Sequence, residues 1–441
     1  METVSGTDLR YYLIVYDKNG AEINGPDGLP SRAAAALAAE PYTDVFVLSH
    51  GWMGDVPAAR RQYDKWIGAM AACPADRRRM REKRPGFKPL LIGLHWPSKP
   101  WGDEALDPAD ISFALPAEAA PDPVEPLIDE CAAAVADDTP AVRAALRTIL
   151  SSALDDAAPA RLPADVTAAY AALDAAAGLG QGDADAPPDS DRLPFDAEAA
   201  YQDAINEMPS YGLGSWFDGA VLAPLRNLSF WRMKALAARF GEGAAHRLLA
   251  DLAAAVPAGR DVKFHVMGHS FGCIVASAAV AGPAGTAAPF RVQSLALVQG
   301  ALSVWSYCSD IPYARGKAGY FHRLIAEGRV AGPIITTQSK HDTAVGRWYP
   351  YAAGVARQLD FDLEKPPRYA ALGTFGAQGP GADVTFLPMS ADPDGRYGFE
   401  AGKVYNLDGS EFIIGGGGSS GAHNEIDKPE VAHAVWEAAG A

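Results

Sequence analysis

The chain has 441 residues, 49% hydrophobic and 21% charged, which supplies a large buried core and excludes wholesale disorder. Its formal net charge of −16 argues against a nucleic-acid partner, because gripping a polyphosphate needs a surplus of Lys and Arg. The acidity is local: residues 101–215 hold 23 Asp and Glu against 4 Lys and Arg, and the rest of the chain is close to neutral at +3.

Met1 to Arg10 contains Thr3, Ser5 and Asp8 and no apolar run, so neither a secretory signal nor a membrane anchor is expected there, and a cytoplasmic protein without membrane insertion is the reading. Short apolar runs bounded by turn residues then predict buried strands at Tyr11–Tyr16, Asp44–Ser49 and Leu90–His95, with a helix over Asp55–Ala72. From Trp101 to Ser215 the rhythm breaks into Ala, Asp and Pro, with helices expected near Val124–Ala136, Pro140–Asp156 and Pro163–Ala177. Thr139 before Pro140 is a good N-cap followed by a first-turn proline. Gly178 to Pro194 reads as a mobile linker.

Beyond it a helix is expected over Ser229–Val256, then a strand Val262–Gly268 and a helix Phe271–Ala281. Further strands are expected at Ser294–Gln299, Pro333–Gln338 and Lys403–Leu407, and a C-terminal helix over Pro429–Ala439. Tyr349–Tyr397, heavy in Pro and Gly, has no assigned task. Strands alternating with helices predict an α/β fold with a mainly parallel sheet. No repeat of fixed period is present. Cys73, Cys131, Cys273 and Cys308 are scattered without a C-x-x-C pair, so buried reduced thiols are expected rather than a zinc site or disulfide framework.

The chemistry concentrates at Gly268-His269-Ser270-Phe271-Gly272, a G-x-S-x-G motif placed between the strand ending in Val266-Met267 and a small-residue helix beginning Cys273-Ile274-Val275. That context gives the motif its meaning. A sharp strand-to-helix turn leaves no room for a Cβ at Gly268 or Gly272 and lifts the Ser270 hydroxyl clear of the sheet. It also turns the N-terminal N–H groups of the following helix toward any oxyanion formed there.

These residues, together with the strand that ends in His50-Gly51, resemble the α/β-hydrolase superfamily. More narrowly, Val45–Gly51, Leu94-His95-Trp96-Pro97-Ser98 and Gly268–Gly272 are similar to a group of bacterial α/β-hydrolases of the serine esterase or lipase kind. The resemblance spans about two-thirds of the chain and leaves out the acidic segment. It implies an α/β-hydrolase core made of residues 1–100 and 216–441, with 101–215 inserted as a helical cap.

In that superfamily the chain order is Ser, acid, His. Of nine histidines only His423 and His433 follow the expected acid. His423 lies in the glycine-rich run Gly415–Ile426, a flexible loop able to swing an imidazole over Ser270, whereas His433 sits inside the C-terminal helix; His423 is the expected base. The glycine run lacks the Lys-Ser/Thr that a phosphate loop requires. The acid should follow the Pro333–Gln338 strand, which selects Asp342; Asp310, after the preceding strand, is the alternative. The oxyanion donors implied are the backbone N–H groups of Phe271 and Trp52, with Met53 the rival to Trp52, and His50 is read as orienting its loop.

Trp96, Trp101, Trp216, Phe217, Phe230 and Trp231 flank the acidic segment and either line an acyl pocket or anchor the cap. The expected activity is hydrolysis of a small-molecule carboxylic ester through an acyl-Ser270 intermediate, with no cofactor or metal. An amidase or peptidase using the same triad, and a hydrolase-fold scaffold without activity, are the competing readings.

Overall fold

β-branched and aromatic residues pack well on a pleated surface, and runs of them buried on both faces become the inner strands of a parallel sheet. A computed structural model describes the chain except for residues 24–27, 53–54, 99–123, 157, 181, 183–185, 189, 208–218, 288, 347–365, 380–383 and 416–420. Its strands are β1 (Glu2–Thr3), β2 (Arg10–Val15), β3 (Asp44–Ser49), β4 (Pro89–His95), β5 (Lys263–His269), β6 (Ser294–Val298), β7 (Ile334–Gln338), β8 (Val384–Pro388) and β9 (Val404–Asp408). They form one sheet in the order β1-β2-β4-β3-β5-β6-β7-β9-β8. Only the β1–β2 pairing is antiparallel. β2 to β7 and β9 lie within one residue of the expected strands; β1 and β8 were not expected.

Successive residues of a strand point to opposite faces, and β3 divides accordingly. Val45 and Val47 enter one core with helices α1 (Leu29–Ala39), α8 (Ala223–Phe240), α9 (His246–Ala255) and α10 (Gly272–Ala281). Phe46 and Leu48 enter the other with α2 (Val56–Ala71), α3 (Pro74–Lys83) and the C-terminal helix Pro429–Ala439. The protein is therefore an α/β fold with a mostly parallel sheet covered on both faces. Asp55 caps α2 by accepting from the Ala58 N–H at 2.8 Å, and all four cysteines are buried thiols.

Between β4 and β5 four helices, α4 (Glu125–Val135), α5 (Pro140–Asp155), α6 (Ala164–Ala177) and α7 (Ala197–Glu207), build a separate apolar cluster that also takes in Val221, Leu222, Leu225 and Leu228. Thr139 caps α5 through its hydroxyl and the Val142 N–H at 3.3 Å, as its place before Pro140 predicts. Two expectations change here. The helix expected from Ser229 begins at Ala223 and is interrupted by a π turn at Gly241–Ala245 before α9, and its first turns belong to the apolar cluster. The described part of the supposed mobile linker is anchored: Asp191 and Arg192 are both buried, Arg192 pairing with Asp174 at 2.8 Å and Asp191 with Lys234 at 2.8 Å. Gly and Pro marked this stretch as a loop, but its Asp191 meets a fully buried counter-ion in Lys234.

No helix among the described residues is long and apolar enough to cross a membrane.

Candidate active site

Ser270 stands at the turn between β5 and α10, at the C-terminal edge of the sheet, and is 7% exposed. Its φ is +55°, in the left-handed region that costs a non-glycine residue about 1–2 kcal/mol. The cost is held by fixed bonds: the Ser270 N–H donates to Val298 O at 3.2 Å, and its carbonyl accepts from Cys273 and Ala301 at 3.0 and 3.2 Å. The flanking glycines are dictated by contact. A Cβ on Gly268 would lie 2.2 Å from Gly272 O, and one on Gly272 would lie 2.3 Å from Ser49 O, where β5 and β3 run side by side.

Asp342 follows β7 and is 1% exposed. Its Oδ2 accepts from His423 Nδ1 at 2.8 Å and from Gln299 Nε2 at 2.8 Å, and its Oδ1 accepts from the Val345 N–H at 3.2 Å. With Nδ1 donating to the carboxylate, the other ring nitrogen of His423, Nε2, carries the lone pair. The sequence-predicted acid and base are thus in direct contact.

His423 is not free to swing. Its ring is buried, and its carbonyl accepts from His269 Nε2 at 2.9 Å. The Gln62 amide donates to His269 Nδ1 at 2.8 Å, which leaves Nε2 as the protonated nitrogen of that ring. Burial, with the His423 ring centred 4.8 Å away, pushes the His269 imidazole well below its ordinary range and keeps it neutral. On either side of the glycine run, Glu425 Oε2 accepts from the Ile414 and Gly415 N–H groups at 3.1 Å, and Ala422 donates to His341 O at 3.0 Å. The glycines suggested a mobile loop; the bonds on either side of them fix its ends.

Ser270 lies one residue from His269, whose ring packs on His423, yet no hydrogen bond joins the Ser270 hydroxyl to the His423 imidazole. Among the described residues neither the hydroxyl nor His423 Nε2 has a hydrogen-bond partner. The backbone N–H groups of Trp52 and Phe271 likewise find no protein acceptor among the described residues. The Trp52 ring packs against Phe271 and Phe230, with centroids 5.2 and 5.8 Å apart. Met53 lies outside the described residues, as do Trp101, Trp216 and Phe217.

His50 organises this loop. Its Nδ1 bonds Gly51 O at 2.7 Å, its N–H donates to Tyr63 Oη at 2.8 Å, and the Trp96 indole donates to its carbonyl at 3.1 Å. Burial, reinforced by His95 nearby, pushes its imidazole down to about 3. The alternative acid and base go elsewhere. Asp310 caps its own loop by accepting from Gly316 at 2.8 Å, and His433 pairs with Asp76 at 3.0 Å beneath the C-terminal helix. A second Ser–His–Asp line exists: Ser294 Oγ lies 2.9 Å from His265 Nδ1 and His265 Nε2 3.0 Å from Asp44 Oδ1. All three are buried near the N-terminal ends of adjacent strands, so this line stitches β3, β5 and β6 together.

Gln62, His269 and Gln299 are the site residues that sequence reasoning passed over. His269 was visible only as the variable position of the motif, and the two glutamines sit on a helix and at a strand end with no local signal. Among the described residues, no group of three or more His, Cys, Asp or Glu is arranged to hold a metal ion. No protein-family model, no curated protein and no solved structure matches the chain.

Proposed function

We propose that the chain is a serine hydrolase of the α/β-hydrolase fold, cleaving a carboxylic ester through an acyl-Ser270 intermediate. The observation that carries this reading is the buried Asp342–His423 pair at 2.8 Å, set beside a serine strained to a φ of +55° at a strand-to-helix turn, in the order Ser, Asp, His. The sheet order and the helices covering both faces support the same fold, and the helical cluster between β4 and β5 would be its cap.

In this mechanism His423 Nε2 takes the Ser270 proton as Oγ attacks the ester carbonyl carbon. The carbonyl oxygen becomes an oxyanion and receives the N–H groups of Trp52 and Phe271, the two donors left without a protein acceptor among the described residues. Asp342 holds the imidazolium in place. His423 then protonates the leaving alcohol oxygen as its bond to the acyl carbon breaks. Water, losing its proton to His423, attacks the acyl-enzyme; the carboxylic acid leaves and Ser270 recovers its proton. The reading requires Ser270 Oγ and His423 Nε2 to close to hydrogen-bond distance when substrate binds, a tightening common in hydrolases.

The test is fluorophosphonate labelling of the wild type, Ser270→Ala and His423→Ala, with turnover of nitrophenyl esters of graded acyl length. Labelling in the wild type and its loss in both variants is the expected result. A wild type that neither labels nor turns over any ester would leave a catalytically silent fold. Turnover of nitroanilides in place of esters would keep the triad and change the substrate class to amides.

A further inference from the structure

Among the described residues only two that are not glycine have a positive φ: Ser270 at +55° and Gln299 at +46°. They directly follow β5 and β6, which are paired neighbours in the sheet with His269 opposite Val298. Strain kept at a non-glycine residue marks a position that the surrounding structure over-determines, and such positions cluster at functional sites. The proposed mechanism explains the first and leaves the second without a task.

Gln299 is fully buried and every polar atom of its side chain is used. Nε2 donates to Asp342 Oδ2 at 2.8 Å and to Gly373 O at 3.1 Å, while Oε1 accepts from Thr337 Oγ1 at 2.9 Å. The Gln299 N–H donates back to that same threonine oxygen at 3.0 Å. Two N–H donors and one acceptor on a single planar group are what a primary amide supplies and neither a carboxylate nor a hydroxyl can. With Thr337 fixing the oxygen, the amide cannot flip, so its N–H is committed to Asp342.

The donation falls on Oδ2, the same carboxylate oxygen that holds His423 Nδ1. Turning the Asp342 carboxylate therefore breaks three bonds, to His423, Gln299 and the Val345 N–H. Sharing the oxygen also draws charge away from the imidazole. We propose that Gln299 is a positioning residue that fixes the Asp342 carboxylate toward His423 and sets how strongly that carboxylate stabilises the imidazolium. The proposal rests on the serine-hydrolase reading. Among the described residues the titratable groups around the carboxylate are His423 and, behind it, His269, which burial keeps neutral.

Two substitutions separate this role from simple filling of the core. Gln299→Glu keeps the shape and, with a carboxyl oxygen 2.8 Å from Asp342 Oδ2 in a buried site, holds a proton rather than adding a second charge, so that as a neutral acid it still donates to Asp342. It should therefore keep kcat within about threefold of wild type on the acid side of the pH profile and lose it on the alkaline side, where the added carboxyl ionises and stops donating. Gln299→Met removes the donor at similar length; kcat should fall about 10- to 100-fold through lost orientation, with KM held within about twofold. Gln299→Met carries the test alone if Gln299→Glu does not fold. A Gln299→Glu variant as slow as Gln299→Met at every pH, or a Gln299→Met loss that appears in KM and in thermal stability with kcat intact, would overturn the proposal. A wild type that fails to label with fluorophosphonate while the proton resonance of His423 Nδ1–H still shifts in Gln299→Met would remove the hydrolase reading and support the coupling of Gln299 to the pair.

Discussion

At the scale of single residues, the His50–Trp52 loop and Ser270 are pressed together at Gly51. A Cβ there would lie 2.8 Å from Ser270 Cβ, closer than real Cβ contacts come, and 3.2 Å from His269 Nδ1. Gly51→Ala must push the His50–Trp52 loop away from the serine, taking the Trp52 N–H with it. Loss of one oxyanion donor typically costs about 10²–10³ in rate. The expected outcome is a fall of that order in kcat for ester hydrolysis, with circular dichroism unchanged; a variant as fast as wild type would move the second donor away from Trp52. The same residues show what was legible. Ser270 was readable because the demands on Gly268 and Gly272 are local to a five-residue turn. The contact between Asp342 and His423 was readable because chain order restricts the candidates. Gln299 was not, since its partners Asp342 and Gly373 lie 43 and 74 residues away and only the fold brings them together.

At the scale of elements, α8 joins the helical cluster to the sheet. Lys234, fully buried, reaches Asp191 at 2.8 Å and lies 4.1 Å from the centre of the Trp231 ring. One turn earlier Phe230 packs on Phe271 and Trp52, the residues whose N–H groups are assigned to the oxyanion. Removing one member of a buried pair strands the other charge in a low dielectric, whereas replacing both with apolar groups is often neutral. Lys234→Met should therefore lower the urea unfolding free energy by about 3–5 kcal/mol, and Lys234→Met with Asp191→Leu should recover most of it. A single variant within about 1 kcal/mol of wild type would show that the pair does not tie the cluster to α8. This contact explains why the linker was misread: Gly, Asp and Pro are the residues of a solvated loop, and only the buried lysine on α8 shows that the loop is held. The strands fared better, because an apolar run of five to seven residues carries its own signal. β8 was missed because it is an edge strand, with Phe386 52% exposed, inside the Pro- and Gly-heavy stretch Tyr349–Tyr397.

At the scale of the whole molecule, the buried histidines make stability depend on pH in a window that the acidic residues leave clear. Burial holds His50 at about 3, His265 below its ordinary value and His269 well below it. In the unfolded chain each titrates near 6.5. Below that pH the unfolded chain binds protons that the folded protein refuses, so stability is fully present above about 6.5 and is lost as the pH falls. Each such histidine can contribute about 1.4 kcal/mol per pH unit, so His50 alone removes about 2 kcal/mol between pH 6.5 and pH 5. The net charge of −16 pulls the other way only once carboxylates are neutralised and repulsion within residues 101–215 relaxes, which happens mainly below pH 5. Urea midpoints at pH 7.5 and pH 5 should accordingly fall, and His50→Gln should flatten the slope even if it is itself less stable at pH 7.5. A stability that stays level across this range would mean that these rings accept protons inside the fold, and a charged His269 could no longer accept from the Gln62 amide at Nδ1. Activity and stability must therefore be measured together on the acid side. Loss of the rate while the urea midpoint holds would place the effect at His423; loss of both together would place it in the histidines beneath.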